Sequence, residues 1–451
     1  MQAYFRALFL IGFLVALVAA APSPRPIQKR GVFSVERRAN PNFKGRNGSR
    51  QLLKSLRKYR MNIPPALLDA IRNSGSTTTT SAVVEDEFTS DREDKAKNHK
   101  THKNHGAGTA SAATTNTTVA AATNGTGIVT ATPEQGDVEY LAPVTIGGQT
   151  INMDFDSGSS DLWVFSTQLD SASTAGHTVY DPEKSTTLSM IQGATWSISY
   201  GDGSGAAGNV GTDTVNIGGA TVTKQAVEMA TTVAASFAED TNSNGLVGLA
   251  FSKLNTVQPQ QQKTFFDNVM DSLAEPVFTA DLRPGVAGAY TFGNIDSSRF
   301  NGTMAWVPVN TTEGFWQFSS TKFAVGDGEA QTGDASGQAI ADTGTTLIIA
   351  NPTTVTGYYS QVSGAVNDDS VGGITVPCDA DLPDLMLDVG GSYMARVKGS
   401  DINYAQVSGN TCYGGVQAST SDLQIYGDIF FKSQFVAFNG GNNSLGLADH
   451  L

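Results

Sequence analysis

Cysteine and histidine are scarce in this chain. Its 451 residues hold two cysteines, Cys378 and Cys412, and five histidines, of which only His177 and His450 lie beyond position 105. Two cysteines cannot by themselves furnish the ligands of a structural zinc site, and so few histidines leave little for a serine or cysteine triad. Neither His-Glu-x-x-His nor Gly-x-Ser-x-Gly occurs, which removes the commonest metallopeptidase and serine-hydrolase signatures. Positive charge is thin beyond His105, where 10 lysines and arginines face 34 acidic residues. A body that acidic is a poor partner for nucleic acid or an anionic membrane surface. After the first twenty residues no apolar run is long enough to span a bilayer. The last residues, Leu447-Ala448-Asp449-His450-Leu451, lack the hydrophobic tail of a lipid-anchor signal. No metal, nucleotide or redox cofactor is implied.

What is present divides the chain. Residues 1–20 combine Arg6, an apolar stretch over 7–17 and the small residues Val18-Ala19-Ala20, the pattern of a secretory signal peptide. A secreted, extracellular, soluble product is therefore expected, with its two cysteines joined rather than free. Six sequons, at Asn47, Asn116, Asn124, Asn301, Asn310 and Asn442, fit that route. Residues 21–105 form a basic segment with 18 basic and 8 acidic residues, read as a propeptide with processing sites at Lys29-Arg30 and Arg37-Arg38. Within it Leu52, Leu53, Leu56 and Tyr59, then Leu67, Leu68 and Ile71, recur at helical spacing. Interrupted at Pro64-Pro65, they predict two short amphipathic helices over about 49–72. From Ser74 to about Thr132 apolar periodicity is lost, and 106–132 reads as a flexible linker or mature N-terminal region.

From about 133 onward short alternating runs and glycine-rich turns predict an all-β body, too long for one ordinary core. Its clearest helix candidate is 260–273, with Phe265, Phe266, Val269, Met270 and Leu273 on one face. The body repeats itself. Asp154-Phe155-Asp156-Ser157-Gly158-Ser159-Ser160 is echoed 186 residues later by Ile340-Ala341-Asp342-Thr343-Gly344-Thr345-Thr346. Further along each half an apolar run meets glycine again, at 245–250 and 425–430. Two copies at domain-scale separation predict duplicated lobes with a site between them, over 133–325 and 326–451. Two carboxyls sharing one proton can both activate a water and polarise a peptide carbonyl, and the aspartic proteases are the standing example of that arrangement. Asp156 and Asp342 are the candidates. Glycine at 158 and 344 permits close backbone approach, and hydroxyls two or three residues away, such as Ser159 and Thr345, can hold the carboxyls in plane.

The run Asp156-Ser157-Gly158-Ser159-Ser160-Asp161-Leu162-Trp163-Val164, paired with Ile340-Ala341-Asp342-Thr343-Gly344-Thr345-Thr346-Leu347, resembles the two active-site signatures of the pepsin family. The likeness covers roughly 137–451 and is greatest to its secreted fungal members of the penicillopepsin and aspergillopepsin type. It implies a bilobal β fold, one catalytic Asp per lobe, a hydroxyl cross-link between Ser157 and Thr343 beneath them, and a disulfide joining Cys378 to Cys412. Ser157 departs from the usual Thr but keeps the hydroxyl. The run from Trp196 to Gly205 resembles the family's flap, which implies substrate-binding roles for Tyr200, Gly201, Asp202 and Trp163. The resemblance implies a monomeric acid endopeptidase with no cofactor. It acts on proteins and peptides, is held back by its own propeptide and is blocked by pepstatin-type inhibitors. Leu56-Arg57-Lys58-Tyr59-Arg60 resembles the Lys-Tyr element of family propeptides, so Lys58 is expected against the Asp156–Asp342 pair. The rival reading is a catalytically silent pepsin-like binding protein, although such homologues usually lack an active-site Asp or the flap tyrosine.

Overall fold

The computed structural model describes residues 46–74, 125–134, 136–199, 205–334 and 337–451, all within one compact unit. The expected signal peptide, both dibasic pairs, 75–124, and the flap residues Tyr200, Gly201 and Asp202 lie outside the described residues.

Two helices come first, where the apolar spacing predicted them. Helix α1, Gly48–Lys58, is capped by Asn47, whose side chain accepts from Arg50 N, and buries Leu52 and Leu56. Helix α2, Pro65–Ser74, starts on a proline and buries Leu67 and Ala70. Proline serves there because its missing N–H is one of the donors a first turn leaves unpaired.

The body is β throughout. Strand β1, Gly127–Pro133, corrects the linker reading at its C-terminal end: it pairs with both β10, Val286–Phe292, and β2, Tyr140–Ile146. Its alternation of buried and partly exposed residues was hidden in a Thr-, Ala- and Gly-rich context. A turn through Gly147 and Gly148, both at positive φ, links β2 to β3, Gln149–Asp156; two such residues in a row suit a tight hairpin. β3 alternates over its first half and is wholly buried from Met153 to Asp156, as a strand covered on both faces must be. With β4, Leu162–Val164; β6, Gly205–Ile217; β7, Ala220–Val233; and β8, Gly245–Gly248, it forms a ring in the order β2-β3-β8-β4-β7-β6, closed by pairing of β6 with β2. β5, Ser189–Ser199, lies outside β6.

The second half repeats five of these strands in the same order and sense. Gln317–Ser319 pairs antiparallel with Gln338–Ala341, which runs parallel to Leu423–Tyr426. That strand is antiparallel to Ile348–Ala350, which is parallel to Val416–Ala418. β2-β3-β8-β4-β7 has the same alternation. The C-terminal strands Gln434–Asn439 and Ser444–Asp449 join the larger sheet beside β9, Val277–Arg283, tying the chain's end to its first half. The main core therefore mixes both halves, with Phe155, Val247, Phe278, Ile340 and Phe438, and takes in Leu52, Leu56, Met61 and Leu67 from the helical segment. A separate cluster gathers around Trp163 and Trp196.

The helix predicted over 260–273 is shorter. It runs from Phe265 to Val269 and continues as a 3₁₀ turn. The Thr264 side chain accepts from Asp267 N, which sets the start. The disulfide joins Cys378 and Cys412 with Cα atoms 4.9 Å apart.

Candidate active site

Each candidate Asp sits where a buried strand ends against a parallel neighbour. Asp156 closes β3 opposite Gly248, and Leu249 N donates to its backbone oxygen at 2.8 Å. Asp342 follows Gln338–Ala341, and its N donates to Tyr426 O at 3.0 Å. After each Asp the chain turns back and accepts from the companion strand: Ala250 N to Ser159 O at 2.9 Å, and Asp428 N to Thr345 O at 2.7 Å. The duplicated sequence thus becomes a two-fold pair of turns meeting at the carboxyls.

The turns lock across the symmetry. Ser157 N donates to Thr343 Oγ1 and Thr343 N to Ser157 Oγ, both at 3.0 Å. Ser157 Oγ donates onward to Ala341 O at 2.9 Å, and Thr343 Oγ1 to Phe155 O at 2.5 Å. Serine at 157 makes this bond set with its hydroxyl alone. Each carboxyl has its own cage. Asp156 accepts from Gly158 N at 2.8 Å and Ser159 Oγ at 2.7 Å. Asp342 accepts from Gly344 N at 3.0 Å and from Thr345 Oγ1. A methyl on Gly158 would lie 2.5 Å from Asp342 Oδ1, and one on Gly344 2.3 Å from Asp156 Oδ1. Only glycine lets the two turns approach this closely.

The end of α1 occupies the space between the carboxyls. Lys58 Nζ donates to Asp156 Oδ1 at 2.9 Å and to Asp342 Oδ2 at 3.0 Å, and Tyr59 Oη donates to Asp342 Oδ2 at 2.5 Å. Both carboxyls are fully buried. Burial acts first and pushes both toward the neutral form. At Asp342 the Lys58 charge and the donors around Oδ2 outweigh burial and hold the carboxyl below its ordinary range. Asp156 stays above it, with the Asp342 charge adding to burial. Two like groups are thereby driven apart in acidity. Lys58 is buried too, yet its two anionic neighbours keep it charged.

Trp163 on β4 is buried, stacks on Trp196 at 5.9 Å and meets Phe237 edge-on at 5.1 Å. The structure brings Asp156, Ser157, Gly158, Ser159, Thr343, Gly344, Thr345 and Asp342 to one centre, with Lys58 on them. Sequence reasoning missed Tyr59 as a donor to Asp342. It also missed Lys54, 2.7 Å from Glu139 Oε1, and Arg46, 3.3 Å from Asp137 Oδ2 and stacked over Tyr404. A further omission is the buried pair Asp161 and Glu228, bridged by Asn255 Nδ2 at 2.9 and 3.0 Å. The readable signal for Glu228 was a single acid in the run Ala226-Val227-Glu228-Met229-Ala230.

Among the described residues no helix is long and apolar enough to cross a membrane. The chain is 51% identical over 330 residues to an aspergillopepsin A-like aspartic endopeptidase of Aspergillus fumigatus, covering 72% of this chain and 77% of that protein. It is 49% identical to penicillopepsin-1 of Penicillium janthinellum over 71% of this chain and 98% of that one. Endothiapepsin of Cryphonectria parasitica is 43% identical over 96% of this chain and 92% of its own length. Residues 139–450 match the family model for eukaryotic aspartyl proteases, and with the two interlocked Asp-hydroxyl-Gly turns already in place, the chain belongs to the eukaryotic aspartyl protease family.

Proposed function

We propose that this protein is a secreted endopeptidase, made as an inactive precursor, that cuts proteins at acid pH with Asp156 and Asp342 as its catalytic pair. The observation that carries this reading is the pair of caged carboxyls, turned toward one another and driven apart in acidity. In the open enzyme a water takes the place of the Lys58 ammonium. The ionised carboxyl removes its proton as it attacks the peptide carbonyl, while the protonated one donates to the carbonyl oxygen. The hydroxyl and N–H donors fix both groups, so little rearrangement accompanies the reaction. The division into two lobes follows the duplicated motif, with the second repeat opening at Gln317–Ser319, ahead of the boundary expected at 326, and the cleft between them receives the peptide, with Trp163 and the 196–205 segment on the substrate side.

The 21–105 segment acts as propeptide and internal inhibitor. Its ammonium and phenol fill the hydrogen-bonding positions that water and substrate need, which supports an inactive precursor. Large apolar residues are the preferred flanks of the cut bond, and Asp202 on the hairpin adds acceptance of lysine there through an ion pair. The test is hydrolysis of a protein substrate at acid pH, with and without pepstatin, by wild type, Asp156→Asn and Asp342→Asn. Either replacement is expected to abolish turnover, and the two losses should not add because the pair works as one unit. Full activity in either variant would rule the assignment out. A folded chain inactive under all conditions would favour the silent binding protein instead.

A further inference from the structure

His177 is one of two histidines beyond position 105, and the chemistry of the carboxyl pair makes no use of it. Its ring lies flat against Phe165, with centroids 3.9 Å apart and planes at 12°. Nδ1 stands 3.2 Å from Asn244 Oδ1, and Nε2 stands 3.3 Å from Ala238 O. The Asn244 amide has one orientation. Its Nδ2 donates to Asn152 O at 3.3 Å and Asn242 O at 2.9 Å, while Oδ1 accepts from Thr178 N at 2.8 Å. Both ring nitrogens of His177 therefore face acceptors. A neutral imidazole carries a single N–H and makes one of the two bonds, whereas the imidazolium makes both. Stacking on Phe165 adds a cation–π contact to the charged form.

Ala238 belongs to the short helix Ala235–Glu239, between β7 and β8. A single helical turn does not support itself in water. This one has no side-chain cap at Ala234 and buries none of its own residues. The carbonyls at its C-terminal end lack partners within the helix, and His177 supplies a donor to one of them. From the same helix Phe237 meets Trp163 edge-on at 5.1 Å, within the cluster that also holds Phe165 and Trp196. The wall beside Trp163 thus leans on a weakly held helix that a titratable ring pins. The charged groups on the elements around that ring are Asp170 and the Asp181–Lys184 pair on its own loop, with Glu239 and Asp240 at the helix end. Their excess of negative charge favours the imidazolium. Burial and then Glu139 push Asp240 up to about 6, so this acid gains charge over a similar range and is the control to include.

We propose that His177 is an acid-dependent positioning residue: its imidazolium bonds Asn244 and Ala238 together, holding the helix that sets Phe237 against Trp163, and loss of the proton toward neutrality releases that helix. For its effect on turnover the proposal rests on the endopeptidase reading above, with Trp163 on the substrate side.

The first test is independent of activity. Hydrogen exchange of the 234–241 amides is followed in the full chain carrying Asp342→Asn, between about pH 4.5 and 7.5, the range in which an imidazole changes charge. After correction for the intrinsic exchange rate, protection should fall by roughly fivefold as pH rises. It should still fall when Asp240→Asn is added, and stay level when His177→Gln is added, because a neutral amide offers the same bonds at every pH. Constant protection in the His177 chain would overturn the proposal without needing a variant at 177, as would a fall that survives His177→Gln or disappears in Asp240→Asn. The second test uses activated enzyme and an apolar-flanked peptide. At pH 4.5 His177→Gln should raise KM by roughly two- to fivefold with kcat little changed, and the gap should close as pH approaches 7. An equal gap at every pH would reduce His177 to a packing residue and overturn the pH dependence. An activated wild type that cuts nothing would overturn the endopeptidase reading instead, while the exchange profile still decides the role of His177.

Discussion

Gly158 and Gly344 face the opposing carboxyls across the symmetry axis, and their missing side chains set how near Asp156 and Asp342 come. An alanine methyl at 344 would stand 2.3 Å from Asp156 Oδ1, well inside contact distance, so one turn must retreat. A misplacement on the ångström scale at a reacting centre costs on the order of 10²-fold in rate. Gly344→Ala is therefore expected to lose about that much in kcat/KM while still folding. Steady-state kinetics beside a thermal melt measures this, and a near-wild-type rate would show that the spacing tolerates the methyl. At this scale the sequence was legible: two Asp-hydroxyl-Gly runs named the carboxyls, their hydroxyl donors and the glycines, while the Gly158 and Gly344 N–H donors came only with the structure. Tyr59 was not legible as a partner of Asp342, because nothing in a lone Lys-Tyr pair says which atom its phenol will meet.

Helix α1 shows how an element is held at both ends. Arg46, just ahead of it, donates to Gly136 O and Tyr404 O, and Ser49 Oγ donates to Val371 O at 2.5 Å. Leu52 and Leu56 sink into the body's core, and Lys58 ends on the carboxyl pair. Leu56→Ala should weaken docking of the segment by about 2–5 kcal/mol, so that the precursor opens at higher pH than wild type. The pH midpoint of pepstatin binding to the full chain reads this out, and an unmoved midpoint would show that Leu56 does not hold the helix down. The acid dependence has a definite sign. Docking holds the Asp342 carboxyl below its ordinary range, so docked chain binds fewer protons there than released chain. That contribution is present above the ordinary carboxylate pKa of about 4 and is lost as pH falls through the lowered one. Apolar periodicity and the Pro64-Pro65 break predicted the helices; their resting place depended on the body's shape.

Across the whole molecule the buried carboxyls decide how stability varies with pH. Burial raises Asp161 to about 6 against hydrogen bonds from Thr256, and pushes Glu228 above its ordinary value. A folded pKa above the unfolded one means that the native state binds the extra proton. Stability from Asp161 is thus complete below about pH 4 and is lost as pH rises through about 6, at a cost of roughly 3 kcal/mol. Glu228 carries the loss further upward. The Asp342→Asn chain, which cannot digest itself if the assignment holds, should melt highest near pH 4 and progressively lower toward neutrality. Glu228→Gln should flatten the upper part of that profile. A melting temperature that climbs from pH 4 to pH 7 would contradict this account.

The sequence by itself determined the β class, the internal duplication, the two carboxyls and the amphipathic segment ahead of the body. Each of these is written in local spacing: period two in strands, near four in helices, and a repeated seven-residue run. It misjudged what depends on partners far along the chain. β1 looked like linker because its few apolar residues become a strand only when β10 and β2 supply the hydrogen bonds, and 260–273 looked like one helix because periodicity does not reveal where a cap such as Thr264 will act. Only the tertiary structure decided that Lys58 and Tyr59 reach Asp342 from some 280 residues away, and that Lys54 meets Glu139. Charges find their partners through folding, because an ammonium or a carboxyl follows no periodicity and its ionisation depends on what the fold packs around it.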